Sequence, residues 1–514
     1  MPGKVFHCKR GVRQGDPLST LLFALAADFL QSILNAAKHQ GLLTLPVDLP
    51  FDQDFPILQY VDDTLIFMQG DTRQLFFLKA ILNSFAESTG LKVNYAKSMM
   101  VPINISEHKL NLLANTFGCS TGSFPFIYLG LPLSLTRPTV SDFWPLVSKY
   151  ERRLVIVSSF LSHASRLQMT NAVLSALPTY TMCTYLLPKT VIKQIDKYRK
   201  HCLWRGSDIN SKKPPKAAWK LVCNSKENGG LGVHDMQIQN ESLLLKHLHK
   251  FFNKCDIPWV QLIWNSHYNN ETIPVNNRNG SFWWRDVLKL LDSFKEMASV
   301  TIGDGSTSLF WSDVWHGVPF NVQWPHLFSF AKDANTSVQN FLDADGKSEF
   351  FHVPLSIEAH DQYQQMITEL QNIQPSHNKD VWNYIWGSSL FTSNKAYTHL
   401  LGSIPVSPIY KWLWNSNCLS KRKVFFWLAL KDRLSTRELL KRKQMELQSY
   451  NCVLCHQDVE ESLHHLFMDC LFAKTCWNML GLAYLIQGSM LDSVPLFKAQ
   501  INRPFFMEVI VAMF

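Results

Sequence analysis

Two adjacent carboxylates, Asp62 and Asp63, lie between two short apolar segments of the chain. Segments 55–61 and 64–68 are rich in apolar, β-prone residues, which predicts a hairpin with both aspartates at its tip. Adjacent side chains of a strand point to opposite faces, so only one of the two is expected to point into a site. Paired like charges in an apolar hairpin favour a hard divalent cation, and such sites carry out phosphoryl transfer. A solvated Asp-Asp turn is the alternative.

A second group of residues has the spacing of metal ligands. A Cys-x-x-Cys pair is followed by a histidine and a cysteine with four residues between them, and the four residues are Cys452, Cys455, His465 and Cys470. Thiolates and imidazole prefer zinc, and four protein ligands leave no open position, so the pattern predicts a structural zinc site. Four unconnected residues, two of them ordinary buried thiols, are the alternative.

The densest basic segment of the chain lies just before these cysteines, with aromatic residues interleaved. Basic and aromatic side chains together are typical of nucleic-acid contacts. A solvated basic helix face is the alternative. The candidates for RNA or DNA binding are Lys421, Arg422, Lys423, Lys431, Arg433 and Arg437.

Composition limits the class of protein. With 514 residues, 46% hydrophobic and 18% charged, the chain predicts a globular protein of several domains. The net charge of +9 suits a polyanionic partner, but over this length it is weak evidence. Eleven cysteines in a long chain predict a reducing compartment. No uninterrupted apolar run reaches the ~18 residues of a membrane span. We therefore expect a soluble, intracellular protein without membrane contact, and nucleus and cytoplasm are not distinguished.

Four motifs in order carry a family resemblance. The chain resembles the reverse transcriptases of plant LINE-type (non-LTR) retrotransposons. The resemblance rests on segments 13–19 (Arg-Gln-Gly-Asp-Pro-Leu-Ser), 60–63 (Tyr-Val-Asp-Asp), 90–94 with Lys97, and 128–133. The resemblance implies an RNA-directed DNA polymerase that uses Mg²⁺ or Mn²⁺ and acts on RNA and DNA. It implies catalytic roles for Asp62 and Asp63, with Asp62 as a metal ligand. Arg13, Gln14 and Gly15 would position template or nucleotide, and Lys97 would lie near the triphosphate.

One departure from the family pattern concerns the metal site. The family holds its metal ions with a further aspartate on an earlier strand, and residues 1–15 contain no acidic residue. The segments that grip template and nucleotide are missing as well. Phosphoryl transfer depends on positioning and electrostatic stabilisation, so we expect an N-terminally truncated polymerase that is inactive alone, unless another chain supplies the missing part. The alternative is a non-catalytic nucleic-acid-binding zinc protein, or a decayed relic.

The cysteine-rich region resembles the zinc-binding domain that follows plant LINE-type reverse transcriptases. The resemblance rests on segments 412–414, 421–429 and 461–470. It implies His465 as the histidine ligand, with the adjacent His464 as its rival. His456 and Cys476 are weaker alternatives.

These patterns together predict an α+β protein. Its expected parts are a partial polymerase palm (1–135), a helical thumb-like segment (136–210), a Trp-rich connecting region (211–408), a mostly helical zinc-binding domain (409–485) and a tail (486–514). In the palm we expect a largely buried helix from Pro17, a helix over 75–86 that Gly90 ends, and a strand over 128–133. In the connecting region we expect tight turns, and tryptophans such as Trp283 and Trp284 that serve packing more than base stacking.

Overall fold

The computed structural model describes residues 15–47, 54–157, 161–206, 214–268, 273–275, 280–371, 373, 375–455, 457–482 and 489–514. The chain forms two compact units, Met1–Pro138 and Thr139–Phe514. Helices dominate, and the strands pair in small two-stranded sheets, as expected for the α+β class.

In the described part of the first unit there are three helices and three small sheets. The helices are α1 (Pro17–His39), α2 (Thr72–Thr89) and α3 (Glu107–Phe117). The strands are β1 (Ile57–Tyr60), β2 (Asp63–Ile66), β3 (Met99–Met100), β4 (Ser120–Thr121), β5 (Phe126–Tyr128) and β6 (Leu131–Leu133). The pairs β1–β2 and β5–β6 are antiparallel, whereas β3–β4 is parallel.

Helix boundaries in this unit follow from local sequence. Asp71 caps α2 by accepting a hydrogen bond from the Gln74 amide, and Gly90 ends the helix in the left-handed conformation. Leu75, Leu78 and Leu82 recur at helical spacing on its buried face. The predicted helix and its glycine end are confirmed.

Helix α1 forms as predicted, but its predicted burial is wrong over the first half. Leu18, Leu21 and Leu25 are 59%, 63% and 66% exposed, whereas Leu30 and Leu34 are buried in the core of the unit. Its apolar residues surround the helix instead of forming one stripe, so one packing partner covers only part of them.

Among the described residues, α1 is the one helix whose length and composition would allow it to cross a membrane. Its most apolar 18-residue stretch has a mean hydropathy of 1.5. The sequence-based test required an uninterrupted apolar run and stopped at Asp28, whereas an average over the stretch tolerates that residue. The expectation of no membrane contact is not tested by this helix and stays a prediction.

The predicted strand over 128–133 is a hairpin instead. Leu129 and Gly130 have φ angles of 49° and 78° and connect β5 to β6 as a two-residue turn. Two successive positive φ values match the turn that suits the twist of antiparallel strands. Leucine is rare in such a turn, which is why the pattern predicted one continuous strand.

The second unit is mostly helical and contains one two-stranded antiparallel sheet, β7 (Ala298–Thr301) with β8 (Val381–Tyr384). Its helices are α4 (Trp144–Val157), α5 (His163–Met169), α6 (Thr179–Met182), α7 (Lys189–Trp204), α8 (Trp219–Cys223), α9 (Met236–Phe252), α10 (Pro258–His267), α11 (Phe282–Leu288), α12 (Leu291–Glu296), α13 (Phe320–Gln323), α14 (Pro325–Phe328), α15 (Val338–Asp343), α16 (Ile357–Leu370), α17 (Ser393–Leu401), α18 (Ile409–Asn415), α19 (Ser420–Leu430), α20 (Arg437–Arg442), α21 (Leu471–Met479), α22 (Met490–Ile501) and α23 (Phe506–Met513).

Two hydrophobic cores organise this unit. One joins buried residues between Leu244 and Ala396 and contains the rings of Trp284, Trp311 and Trp382. Trp284 is fully buried, and Trp283 donates its ring N–H to the Thr184 carbonyl at 2.7 Å, so both tryptophans serve packing.

The other core unites distant parts of the sequence. Buried residues from 203–233 pack with residues from 409–511 around Trp427, whose ring N–H donates to the Gly229 carbonyl at 2.9 Å. The end of the predicted thumb-like segment therefore shares a core with the cysteine-rich region, although about 200 residues separate them in sequence.

Candidate functional site

The two-aspartate hairpin forms as predicted. Tyr60 pairs with Asp63, so Val61 and Asp62 make the two-residue connection between β1 and β2. Both aspartates are exposed, and no hydrogen bond or ion pair involves their carboxylates among the described residues. Val61 has a φ of 51°, which is rare for a β-branched residue. Such strain is typical of functional turns.

Helix α1 positions this hairpin through amide side chains. The Gln59 amide donates to the Ala27 carbonyl at 3.0 Å, and the Gln31 amide donates to the Phe55 carbonyl at 3.0 Å. Asn35 accepts the Phe55 backbone N–H at 2.8 Å. With Phe55 only 1% exposed, these bonds attach the start of the hairpin to the helix.

The other motif residues occupy the beginning of α1 and a separate turn. Gly15 has a φ of 85°, and the Asp16 carboxylate caps α1 by accepting the Leu18 backbone N–H at 2.9 Å. Arg13 and Gln14 lie outside the described residues. Lys97 is exposed in a turn, where its backbone N–H donates to the Asn94 carbonyl at 3.0 Å. Within the described part of the chain, no contact joins Lys97 to the aspartates.

The structure brings the four predicted zinc ligands together. The ligand atoms of Cys452, Cys455, His465 and Cys470 all lie within 4.8 Å of one another. The Cys452 and Cys470 Sγ atoms are 3.9 Å apart, and Cys455 Sγ lies 3.3 Å from His465 Nε2. Two thiolates bound about 2.3 Å from a tetrahedral zinc ion are about 3.8 Å apart. The spacing of this donor set therefore fits zinc.

Local backbone structure presents these ligands. The Cys452 N–H donates to the Val459 carbonyl at 2.9 Å and closes the loop that carries Cys455. His465 begins a π-helical turn, His465–Asp469, and its carbonyl accepts the Cys470 N–H at 2.7 Å. A backbone hydrogen bond near Gln457 lowers the pKa of the Cys455 thiol, whereas burial raises the pKa of the Cys452 thiol.

The rival ligands lie elsewhere. His464 is part-exposed, and its Nδ1 atom is 3.6 Å from an Asp469 carboxylate oxygen. Cys476 lies on α21 and does not join the cluster. His456 lies outside the described residues.

Comparison with known proteins finds one family match over the two-aspartate hairpin and another over the cysteine cluster. Residues 2–133 match the family described as reverse transcriptase (RNA-dependent DNA polymerase). Residues 391–477 match the family described as zinc-binding in reverse transcriptase. Two separate segments of the chain are thus similar to parts of reverse transcriptases. The family match and the Cys/His cluster together indicate zinc binding.

Two relatives come from Arabidopsis thaliana. A putative ribonuclease H protein is 26% identical over 334 residues, which cover 62% of this chain and 52% of the relative. An uncharacterized mitochondrial protein is 28% identical over 144 residues, which cover 27% of this chain and 92% of the relative. The chain thus spans about half the length of the first relative. These matches confirm the resemblance to plant retroelement reverse transcriptases.

Three of the six basic candidates in this chain have internal partners. The Lys423 ammonium donates to the carbonyls of Trp414, at 3.0 Å, and of Ser416 at the end of α18. The Lys431 ammonium lies 4.4 Å from the Tyr410 ring centre. The third, Arg437, donates to the carbonyls of Ser449 (3.1 Å) and Asn451 (3.0 Å) beside the first cysteine ligand.

The other three, Lys421, Arg422 and Arg433, are exposed on or just after α19. Among the described residues none of them has an ion-pair partner, so their charges remain available to a polyanion. A further basic residue of the thumb-like segment, Arg199, is not available. It is fully buried, pairs with Asp196 at 2.6 Å and donates to the His234 carbonyl at 2.6 Å.

This division predicts effects of different size for two neighbouring lysines. We expect Lys423→Met to lower the free energy of unfolding by about 1.5–3 kcal/mol, because two part-buried carbonyls lose a charged donor. We expect Lys421→Met, which removes an exposed charge, to change stability by less than about 0.5 kcal/mol. Urea unfolding followed by tryptophan fluorescence measures both. Equal losses in the two variants would show that Lys423 does not stabilise the end of α18.

Proposed function

We propose that this chain is the palm and C-terminal part of a non-LTR (LINE-type) retroelement polymerase whose chemistry is RNA-directed DNA synthesis. The observation that carries the proposal is the hairpin register, which places Asp62 and Asp63 together, exposed and without protein partners among the described residues. Unpaired carboxylates at a strained turn are suited to hold hard divalent cations.

The chain's own residues would contribute positioning. Asp62 and Asp63 would hold Mg²⁺ or Mn²⁺, and the metal ions would stabilise the charge that develops during nucleotidyl transfer. Helix α1 fixes the hairpin through Gln59 and Gln31 and so limits movement of the carboxylates. Gly15 and Lys97, with Arg13 and Gln14, are proposed to position template and nucleotide.

The carboxylate set is incomplete in the part of the chain that the structure describes. No third acidic side chain joins Asp62 and Asp63 in a metal-sized group there, and the sequence has no acidic residue before Asp16. A two-metal site needs ligands on both sides of the reacting phosphate. We therefore infer that residues 1–514 alone do not catalyse synthesis and that a further carboxylate from outside them would complete the metal site.

The second unit would bind nucleic acid. Lys421, Arg422 and Arg433 would contact phosphates, and Lys423, Lys431 and Arg437 would shape the surface through their internal contacts. The completeness of the zinc ligand set, against the incomplete carboxylate set, favours a second candidate function: a nucleic-acid-binding zinc protein without catalysis.

Template-primed DNA synthesis tests the proposal. We expect no incorporation by the purified chain with Mg²⁺ or Mn²⁺, and salt-sensitive binding of RNA or DNA. Incorporation that Asp62→Ala abolishes would show that the hairpin catalyses without a further carboxylate, and it would exclude the non-catalytic candidate. A chain that is inactive even with an added polymerase segment bearing the missing aspartate, yet binds nucleic acid, would leave the binding function alone.

A further inference from the structure

A pocket in the second unit lies between four segments of the chain. Its volume is about 580 Å³, and its walls come from α5, the chain at Lys216, α19 and the segment that carries the zinc ligands. Sites for small ligands commonly measure about 300–1,000 Å³. The pocket is therefore large enough for a group the size of one nucleotide.

Positive charge dominates the rim of this pocket. Arg166, Lys216 and Lys421 line it, and none of them has a carboxylate partner among the described residues. The one acidic lining residue, Glu461, already accepts the Arg437 backbone N–H at 3.2 Å and lies 3.8 Å from the Arg437 side chain. Arg437 thus already offsets the negative charge of Glu461, and the positive charges of Arg166, Lys216 and Lys421 on the rim stay uncompensated among the described residues.

Two of the three cations, Arg166 and Lys216, are part-buried. Burial, followed by the nearby charge of Lys443, lowers the pKa of Lys216. Burial, followed by the charges of Lys216 and Arg166, lowers the pKa of His163. The Nε atom of Arg166 and the Nδ1 atom of His163 are buried without hydrogen-bond partners in the described structure. A buried donor without an acceptor is costly, and an anionic ligand would accept the Arg166 Nε–H.

The backbone leaves room for the arginine. A Cβ atom at Gly206 would lie 2.7 Å from Arg166 Cζ, so a side chain at position 206 would displace the guanidinium. Gly206 has a φ of 81°, which also favours glycine. The chain thus accommodates an arginine that has no protein anion to pair with among the described residues.

The floor of the pocket is apolar and partly aromatic. Val424 and Leu428 are buried in the wall that α19 provides, and Phe425 is 38% exposed. The Phe425 and Phe467 ring centres are 6.3 Å apart at nearly right angles. Aromatic faces beside a cationic groove are the usual means of holding unpaired bases of single strands.

We propose that this pocket binds one unstacked nucleotide of a single-stranded nucleic acid. The phosphate would lie against Arg166, Lys216 and Lys421, and the base would contact Phe425 and Phe467. The inference rests on the proposed nucleic-acid function and specifies its site. The pocket links the thumb-like segment to the zinc-bearing region, so one bound strand would contact both.

Binding of a fluorescent 20-nucleotide single strand of oligo(dT) to the full chain tests the proposal. We expect the double variant Arg166→Gln/Lys216→Gln to weaken binding about tenfold at moderate salt. We also expect the slope of log K against log salt to fall in magnitude by about 1.4, or roughly 0.7 for each phosphate contact. Phe425→Ala should weaken binding about five- to hundredfold by removing one stacking surface. Lys421→Gln should also weaken binding. Because Lys421 is exposed, its replacement should not disturb folding, so misfolding cannot explain this loss.

A matched control removes the same charge elsewhere. Lys411 and Arg503 are exposed on the same unit and do not line the pocket, so Lys411→Gln/Arg503→Gln should leave the affinity within about twofold. Equal weakening by both double variants would overturn the pocket assignment. Failure of the unmodified chain to bind any single strand would instead refute the proposed nucleic-acid function.

Discussion

Replacing His465 with asparagine is expected to empty the zinc site and unfold the region around it. His465 Nε2 lies 3.3 Å from Cys455 Sγ, and the side chain is buried. Structural zinc contributes about 10–16 kcal/mol to the folding of small zinc domains. That free energy is as large as the about 5–15 kcal/mol total stability of an ordinary protein. We expect zinc content to fall from about one ion per chain to near zero, measured by mass spectrometry of the purified protein.

The adjacent histidine provides the control. His464 is part-exposed and its Nδ1 atom faces Asp469 at 3.6 Å, so His464→Asn should keep zinc and stability. Trypsin should cleave the His465→Asn variant, and wild type treated with a strong chelator, within the basic segment 431–443 much faster than the zinc-loaded wild type. Retention of zinc by His465→Asn and its loss in His464→Asn would reverse the ligand assignment.

Local patterns predicted the parts of the site that depend on neighbouring residues. The hairpin at Asp62, the end of α2 at Gly90 and the four clustered zinc ligands all follow from spacing over fewer than about 20 residues. In each case the chemistry of the residue type leaves few alternatives, because glycine tolerates positive φ and thiolates favour zinc.

Contacts between distant segments could not be predicted in this way. The inward direction of Lys423 depends on where α18 ends, and that of Arg199 depends on the His234 carbonyl. A basic residue looks the same in sequence whether it faces water or a backbone oxygen. The cationic pocket was missed for the same reason, because Arg166, Lys216 and Lys421 come from three segments of the chain.

The loop Gly303-Asp304-Gly305 is also held by a residue that is distant in sequence. Tight turns were predicted for this region, and the structure shows which side chain holds this one. Asp380, 2% exposed and immediately before β8, accepts the backbone N–H groups of Gly303 at 2.8 Å and Gly305 at 2.9 Å. It also accepts the Thr307 N–H at 2.9 Å and hydroxyl at 2.8 Å. One buried carboxylate thus receives four hydrogen bonds.

Glycine is required at the point of closest approach. A Cβ atom at position 303 would lie 2.2 Å from the Asn378 carbonyl oxygen, so the loop packs directly on the backbone that precedes Asp380. The Trp382 ring N–H donates to the Thr307 hydroxyl at 3.1 Å and joins this network to the Trp-rich core. The turn and the core therefore depend on the same carboxylate.

Replacing Asp380 with alanine is expected to lower the free energy of unfolding of this core by about 3–5 kcal/mol. Three buried N–H groups would lose their acceptor, and each unsatisfied buried donor costs about 1–3 kcal/mol, with incomplete additivity. Urea unfolding followed by tryptophan fluorescence should show a lower midpoint with an unchanged slope.

Asp304→Ala is the matched control, because it removes a carboxylate from the loop itself. Asp304 is part-exposed, and its carboxylate accepts the Ser306 N–H at 2.9 Å, so its loss should cost less than about 1 kcal/mol. If Asp380→Ala were no more destabilised than Asp304→Ala, the carboxylate would not be what holds the loop. The loop conformation would then depend on the contact of Gly303 with the backbone and on the packing of Trp382. A large difference between the two variants would identify Asp380 as the residue through which a remote segment fixes the conformation of this turn.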